Sequence, residues 1–191
     1  SADMPIGLNI GDGTDAQGNA RWEALSNGDD GPAAGRELEI ARLLQFIKHK
    51  HIDNIVWLTA DVHYAAAHYY NSKQAAGADF PPFWEFVSGP LNAVSFGPNS
   101  TDGTFGPQAV FSKAPEPGQA NLSPYSGLQF FGEVNIDRRS QAMTGELKHI
   151  TAIRYSRKPC PRRLKPGKGA QGAATKPFLP RLPVRPDCEP A

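Results

Sequence analysis

The pattern that most restricts this chain is an amphipathic helix leading straight into an apolar strand. Ile40, Leu43, Leu44 and Ile47 fall at i, i+3, i+4 and i+7, which predicts a helix with one apolar stripe from Arg36 to Lys50. Glu37 and Glu39 near its start, and Lys48, His49 and Lys50 near its end, suit the helix macrodipole. Asn54 to Ala60 then reads as a strand. Its consecutive Ile55, Val56, Trp57 and Leu58 predict cover on both faces, as in the interior of a layered α/β fold. The strand stops at Asp61, and side chains just past such strand ends commonly form sites.

The flanking segments are less regular. Met4 to Ile10 is a short apolar run, and Gly11 to Gly35 is rich in Gly, Asp and Asn, which predicts a loop anchored by Trp22. Phe83 to Val87, Gln129 to Ile136 and Met143 to Ile150 read as strands. The last two form an antiparallel pair turned at Asp137-Arg138-Arg139-Ser140. With 19 Gly and 18 Pro in 191 residues, such as Ser88-Gly89-Pro90 and Phe96-Gly97-Pro98, much of the rest should be connection. No run of about 18 apolar residues is present, so no transmembrane segment is expected.

Charge divides the chain. Residues 1–156 carry 11 Lys/Arg against 17 Asp/Glu, whereas residues 157–191 carry 9 against 2. The body is acidic and the tail is basic, Pro-rich and without apolar period. Two units follow: a folded unit over 1–156 and a tail over 157–191, disordered or translated out of frame, with a nucleic-acid or membrane-surface arm as the other reading. Cys160 and Cys188 both lie in the tail, so the body has no disulfide or thiolate metal site to draw on. A Cys160–Cys188 bridge is conceivable in an oxidising compartment.

Asp61-Val62-His63 is the strongest chemical signal. On an extended backbone residues i and i+2 project to one side, so a carboxylate and an imidazole would point together. Such oxygen and nitrogen donors suit Fe, Zn or Mn, and the carboxylate can share a Ca site. The other reading is that Asp61 caps a turn while His63 bonds locally. His68 reads as supporting the site or lying on the surface, and His49, His51 and His149 read as solvated. Phe83, Trp84, Phe86, Phe130 and Phe131 read as sheet core, because no basic residues interleave to make a nucleic-acid platform. No specific nucleic-acid partner is predicted.

Trp57-Leu58-Thr59-Ala60-Asp61-Val62-His63-Tyr64-Ala65-Ala66-Ala67-His68-Tyr69-Tyr70 resembles the C-terminal half of alkaline phosphatase D (PhoD-like) proteins, as does Phe83-Trp84-Glu85-Phe86-Val87-Ser88-Gly89-Pro90-Leu91. Thr104-Phe105-Gly106-Pro107 and Gln129-Phe130-Phe131-Gly132 extend the resemblance, which covers about Ser1 to Ser156. It implies a calcineurin-like metallophosphoesterase fold: two β-sheets face to face between helical layers, a four-layer αββα sandwich with a mainly antiparallel C-terminal β region. It also implies a metal centre, with iron and calcium, that hydrolyses phosphate mono- and diesters. In that pattern Asp61 and His63 look like ligands from the last strand-end motif. Asp3 in Ser1-Ala2-Asp3-Met4-Pro5 occupies the place of an earlier ligand. Asp30 falls in Asp29-Asp30-Gly31-Pro32, which resembles the family's Trp-Asp-Gly-Tyr-Pro region without its Trp and Tyr.

Three further metal motifs of the family, an Asp-bearing one, Gly-Asp-x-x-Tyr and a Gly-Asn type, are not among these residues. The resemblance therefore implies the C-terminal part of a phosphatase, inactive on its own, whose complete form is periplasmic or secreted. The alternative is a non-catalytic, β-rich binding module.

Overall fold

The computed structural model describes residues 1–151 and the backbone of residues 154–160. Helix α1 (Glu37–His49) forms where the apolar stripe predicts it, with Ile40, Leu44 and Ile47 buried. Leu43 stays exposed, so the buried stripe is narrower than its i, i+3, i+4, i+7 spacing suggested. Ahead of the helix, the polar stretch is not all loop. β1 (Gly11–Thr14) and β2 (Ala20–Trp22) pair as an exposed antiparallel hairpin. Its turn is closed by the Asp15 carboxylate, which accepts the N–H groups of Gln17 at 2.9 Å and Asn19 at 2.8 Å. Trp22 is half-buried and its ring packs within this stretch, so close to Gly28 that a Cβ there would come 2.5 Å from it.

The central sheet contains β3 (Val56–Thr59), β4 (Ala65–Tyr70), β5 (Phe83–Val87) and β6 (Pro107–Lys113), in the order β3-β5-β4-β6. β3 runs parallel to β5, and the other pairings are antiparallel. The predicted double burial of β3 is thus corrected. It is an edge strand among the described residues, and Leu58 is 40% exposed. Four apolar residues in a row reported strand, but which strand lies at an edge depends on chain closure. β4 and β6 carried no clear signal. Ala65-Ala66-Ala67-His68-Tyr69-Tyr70 lacks alternation because both its faces are buried, and β6 opens on Pro107, which is tolerated at the first residue of a strand.

A second sheet holds β7 (Phe130–Ile136), β8 (Met143–His149) and β9 (Arg154–Cys160) in that order, all antiparallel. The predicted hairpin is present, and Asp137 organises its turn by accepting hydrogen bonds from the N–H groups of Arg139 and Ser140. β9 crosses the boundary that composition set after Ser156. Its backbone pairing with β8 needs no apolar period. The rest of the basic tail, from residue 161 with Cys188, lies outside the described residues.

Alternation along β4 and β5 sorts the core into two faces. Ala65, Ala67, Tyr69, Trp84 and Phe86 pack with Phe130 and Leu147 of the second sheet. Tyr70 and Phe83 face the other way, onto Ile40, Leu44 and Ile47 of α1 together with Ile6, Phe80 and Phe105. The described residues therefore form a mixed α/β arrangement, mostly strands with one helix: α1, the mixed sheet, then the antiparallel sheet. The aromatic residues are core, as their lack of interleaved basic residues predicted. His149 is corrected from solvated to buried: its Nδ1 lies 2.7 Å from the Thr151 hydroxyl, and its Nε2 reaches the Gly127 carbonyl.

On the α1 side of the sheet sits a buried polar knot. Glu85 of β5 is 0% exposed. One carboxylate oxygen accepts the Ile6 N–H at 2.8 Å. The other accepts the Tyr70 hydroxyl at 2.7 Å and lies 3.0 Å from His68 Nδ1. Since a carboxylate only accepts, Nδ1 carries the hydrogen. The Tyr70 oxygen in turn accepts the Gly7 N–H at 3.1 Å. Burial, then the nearby Glu85 charge, holds the Tyr70 phenol well above its ordinary pKa, which keeps it a donor. His68 is accordingly a core residue, not a surface one.

Removing the Glu85 carboxylate would strand three buried donors, each costing about 1–3 kcal/mol. Glu85→Ala should therefore lower the unfolding free energy in urea by roughly 3–5 kcal/mol. Glu85→Gln, which keeps an acceptor for Ile6, should cost less. A change in Glu85→Ala within about 0.5 kcal/mol, the range of an ordinary surface substitution, would show that the knot is not structural.

Candidate metal centre at the end of β3

The chain leaves β3 through a tight reversal. The Val62 N–H bonds to the Ala60 carbonyl at 2.7 Å, a γ-turn with Asp61 at its centre and φ at 62°. Asp61 and His63 are therefore not on extended backbone, and the i, i+2 alignment expected from a strand is corrected. A positive φ is tolerated by Asp but carries strain, and such strain collects at functional sites.

The turn keeps the donors in one neighbourhood but does not close them into a set: among the described residues, Asp3, Asp61 and His63 do not bring three donor atoms within 4.8 Å of one another. Ala2 N–H bonds to the Leu58 carbonyl at 3.1 Å, and Ala60 N–H bonds to the Asp3 carbonyl at 2.9 Å, so the N-terminal segment lies along the β3 edge. That places Asp3 within electrostatic reach of Asp61. Partial burial, then the Asp3 charge, push the Asp61 carboxyl above its ordinary value, while His63 pulls it back down. Asp3 and His63 thus both act on Asp61.

His63 is held from its far side. Its Nδ1 lies 2.5 Å from the Val94 carbonyl, which can only accept, so Nδ1 is protonated and, in the neutral ring, the lone pair is on Nε2. Its ring stacks on Phe96, with centroids 4.4 Å apart. A ring N–H donated to a backbone carbonyl is the usual way a metal-ligating histidine is oriented. The loop providing these contacts depends on Gly97, whose φ is 102° and where a Cβ would come 2.5 Å from the Tyr64 ring. Tyr64 fastens the same loop by accepting the Asn99 N–H at 3.2 Å.

Asp30 does not join this group among the contacts seen. Its carboxylate accepts the Gly103 N–H at 2.6 Å, which clamps one loop to another. Its neighbour Asp29 instead meets Glu37 and Asp102, one carboxylate oxygen from each lying within 4.8 Å of the others. Sequence reading passed over Glu37 as a helix-start acid and did not single out Asp102, which is 65 residues away along the chain.

The described residues form a mixed α/β protein, with two carboxylates and an oriented imidazole in the neighbourhood of one strand end. A family model described as PhoD-like phosphatase matches residues 1–147, and the chain belongs to that family. No curated protein and no solved structure matches it. No helix among the described residues is long and apolar enough to cross a membrane.

The raised Asp61 carboxyl has a testable consequence. A folded-state pKa above the unfolded one means that ionisation costs stability, so the penalty is absent below about pH 3.8 and grows as pH rises through the folded value. In metal-free protein Asp61→Asn should melt at a modestly higher temperature at pH 7, with the gain vanishing at pH 3.5. Asn also tolerates the positive φ. Thermal melts in a chelator at both pH values check this, and an Asp61→Asn variant less stable than wild type at pH 7 contradicts it.

Proposed function

We propose that this chain supplies Asp61, His63 and Asp3 as ligands of a metal centre that hydrolyses phosphate mono- or diesters, with iron and calcium as the metals. The observation that carries the reading is His63, whose Nδ1 is committed to the Val94 carbonyl and whose Nε2 is left to donate. The donor chemistry fits: an imidazole nitrogen suits iron, and carboxylates can bridge to a harder ion such as calcium. Bound metals supply Lewis acidity for phosphoryl oxygens and acidify water at neutral pH. The chain's own part is positional. The γ-turn at Asp61 presents its carboxylate past the sheet edge, the N-terminal segment brings Asp3 beside it, and Phe96 and Val94 fix the imidazole plane.

The centre in this reading is completed by the three further metal motifs that the family resemblance calls for, in the four-layer αββα arrangement. Support comes from apolar surface left open. Leu38, Leu43 and Phe46 are exposed on α1, Leu58 on β3, and Val134 and Ile136 on β7. The same reading carries Asp30 as a loop clamp rather than a ligand, and export to the periplasm or beyond the cell.

Co-expression with a segment bearing those motifs, followed by assay of a chromogenic phosphate ester in added iron and calcium, tests the proposal. Hydrolysis should depend on the metals and fall by at least about a hundredfold in an Asp61→Ala, His63→Ala double variant. Undiminished hydrolysis in that variant would remove both residues from the centre.

A further inference from the structure

Asp29, Glu37 and Asp102 come from three separate parts of the fold. Asp29 lies in the loop after β2, Glu37 opens α1, and Asp102 lies in the connection before β6. One oxygen from each falls within 4.8 Å of the other two. Two of the three are deep: Glu37 is 0% exposed and Asp102 is 1% exposed, with exposed Asp29 at the mouth.

Hydrogen bonds satisfy only part of this negative charge. Glu37 accepts the N–H groups of Asn27 at 2.7 Å and Ala34 at 3.0 Å, and the Thr104 hydroxyl lies 3.5 Å away. Asp29 Oδ1 accepts the Gly31 N–H at 3.0 Å, and Asp102 Oδ1 accepts the Thr104 N–H at 2.8 Å. The second Asp102 oxygen, on the carboxylate that converges with the other two, is buried with no hydrogen-bond partner among the described residues. None of the three carboxylates forms an ion pair within that set. A buried acceptor left unsatisfied costs about 1–3 kcal/mol, and more when charged, in addition to the mutual repulsion of like charges. A cation seated against that oxygen relieves both.

The donor set names the class of cation. All three ligands are carboxylates, with no nitrogen or sulfur, which selects a hard ion. Calcium takes six to eight oxygens in flexible geometry, which suits carboxylates drawn from three separate segments, whereas magnesium demands a near-ideal octahedron and keeps several of its waters. We propose that Asp29, Glu37 and Asp102 form a calcium-class cation site, built of residues other than the strand-end donors. It clips the loop ahead of α1 to the connection ahead of β6. The Asp102 N–H also bonds to the Gly7 carbonyl at 3.0 Å, so the clip reaches the N-terminal segment that carries Asp3.

The test uses the full chain, stripped with a chelator and titrated with calcium chloride by calorimetry, with thermal unfolding in parallel. Wild type should bind calcium and melt higher with it, and Asp61→Ala, His63→Ala protein should keep this binding event. Asp29→Asn should weaken it by at least about tenfold, as should Asp102→Asn. Asp29 is exposed, so its variant keeps the fold, checked by circular dichroism, and decides the matter even if Asp102→Asn unfolds. Magnesium should bind at least about tenfold more weakly than calcium. No calcium binding, binding unchanged in Asp29→Asn, binding lost in the Asp61→Ala, His63→Ala protein, or equal affinity for magnesium overturns the assignment. Because the readout is binding rather than catalysis, failure here leaves the phosphatase reading standing, and loss of phosphatase activity leaves the clip standing.

Discussion

The Glu85 carboxylate is the interaction on which the arrangement at the end of β3 depends. It sits between Phe83 and Val87 on β5, at the centre of the mixed sheet, where an unpaired charge would be prohibitive. Its hydrogen bonds to Ile6, Tyr70 and His68 make burial tolerable and tie the N-terminal segment across the sheet at the same time. Once Ile6 and Gly7 are held there, the residues before them are delivered to the β3 edge. Asp3 then lies beside Asp61. A polar knot inside the core thus decides which carboxylate reaches the strand end.

The strand end is shaped by close approaches as much as by donors. The γ-turn at Asp61 shortens the path from β3 to β4, and Gly97 lets its loop press on Tyr64 so that Val94 and Phe96 can hold His63. Each contact is modest alone. Together they leave the imidazole with one free nitrogen and one orientation, which is what ligation requires. The exposed hairpin of β1 and β2 contributes little to this, since its strands are nearly all solvated.

Much of the frame was legible because local pattern reports burial. The α1 stripe, the β7–β8 hairpin with its Asp137 turn, and the aromatic core all appear where period and turn chemistry put them. Legibility failed where both faces of a strand are covered, as in β4, or where an apolar strand ends up at an edge, as in β3. In the first case alternation vanishes, and in the second it gives a false sign of enclosure. His149 was misjudged for a related reason: its charged neighbours in sequence point to solvent, while its own side chain turns in toward Gly127.

The sequence by itself determined the helix, the strands β3, β5, β7 and β8, the position of Asp61 and His63 at the end of one of them, and the resemblance to a phosphatase family. Tertiary structure alone decided that the N-terminal segment lies along the β3 edge, that Asp30 bonds to Gly103, and that Asp29, Glu37 and Asp102 converge. The reason is physical. Periodicity encodes which face of one element avoids water, a property of neighbouring residues. Which loops meet is set by long-range closure of the chain around a buried carboxylate, and no local pattern carries that information.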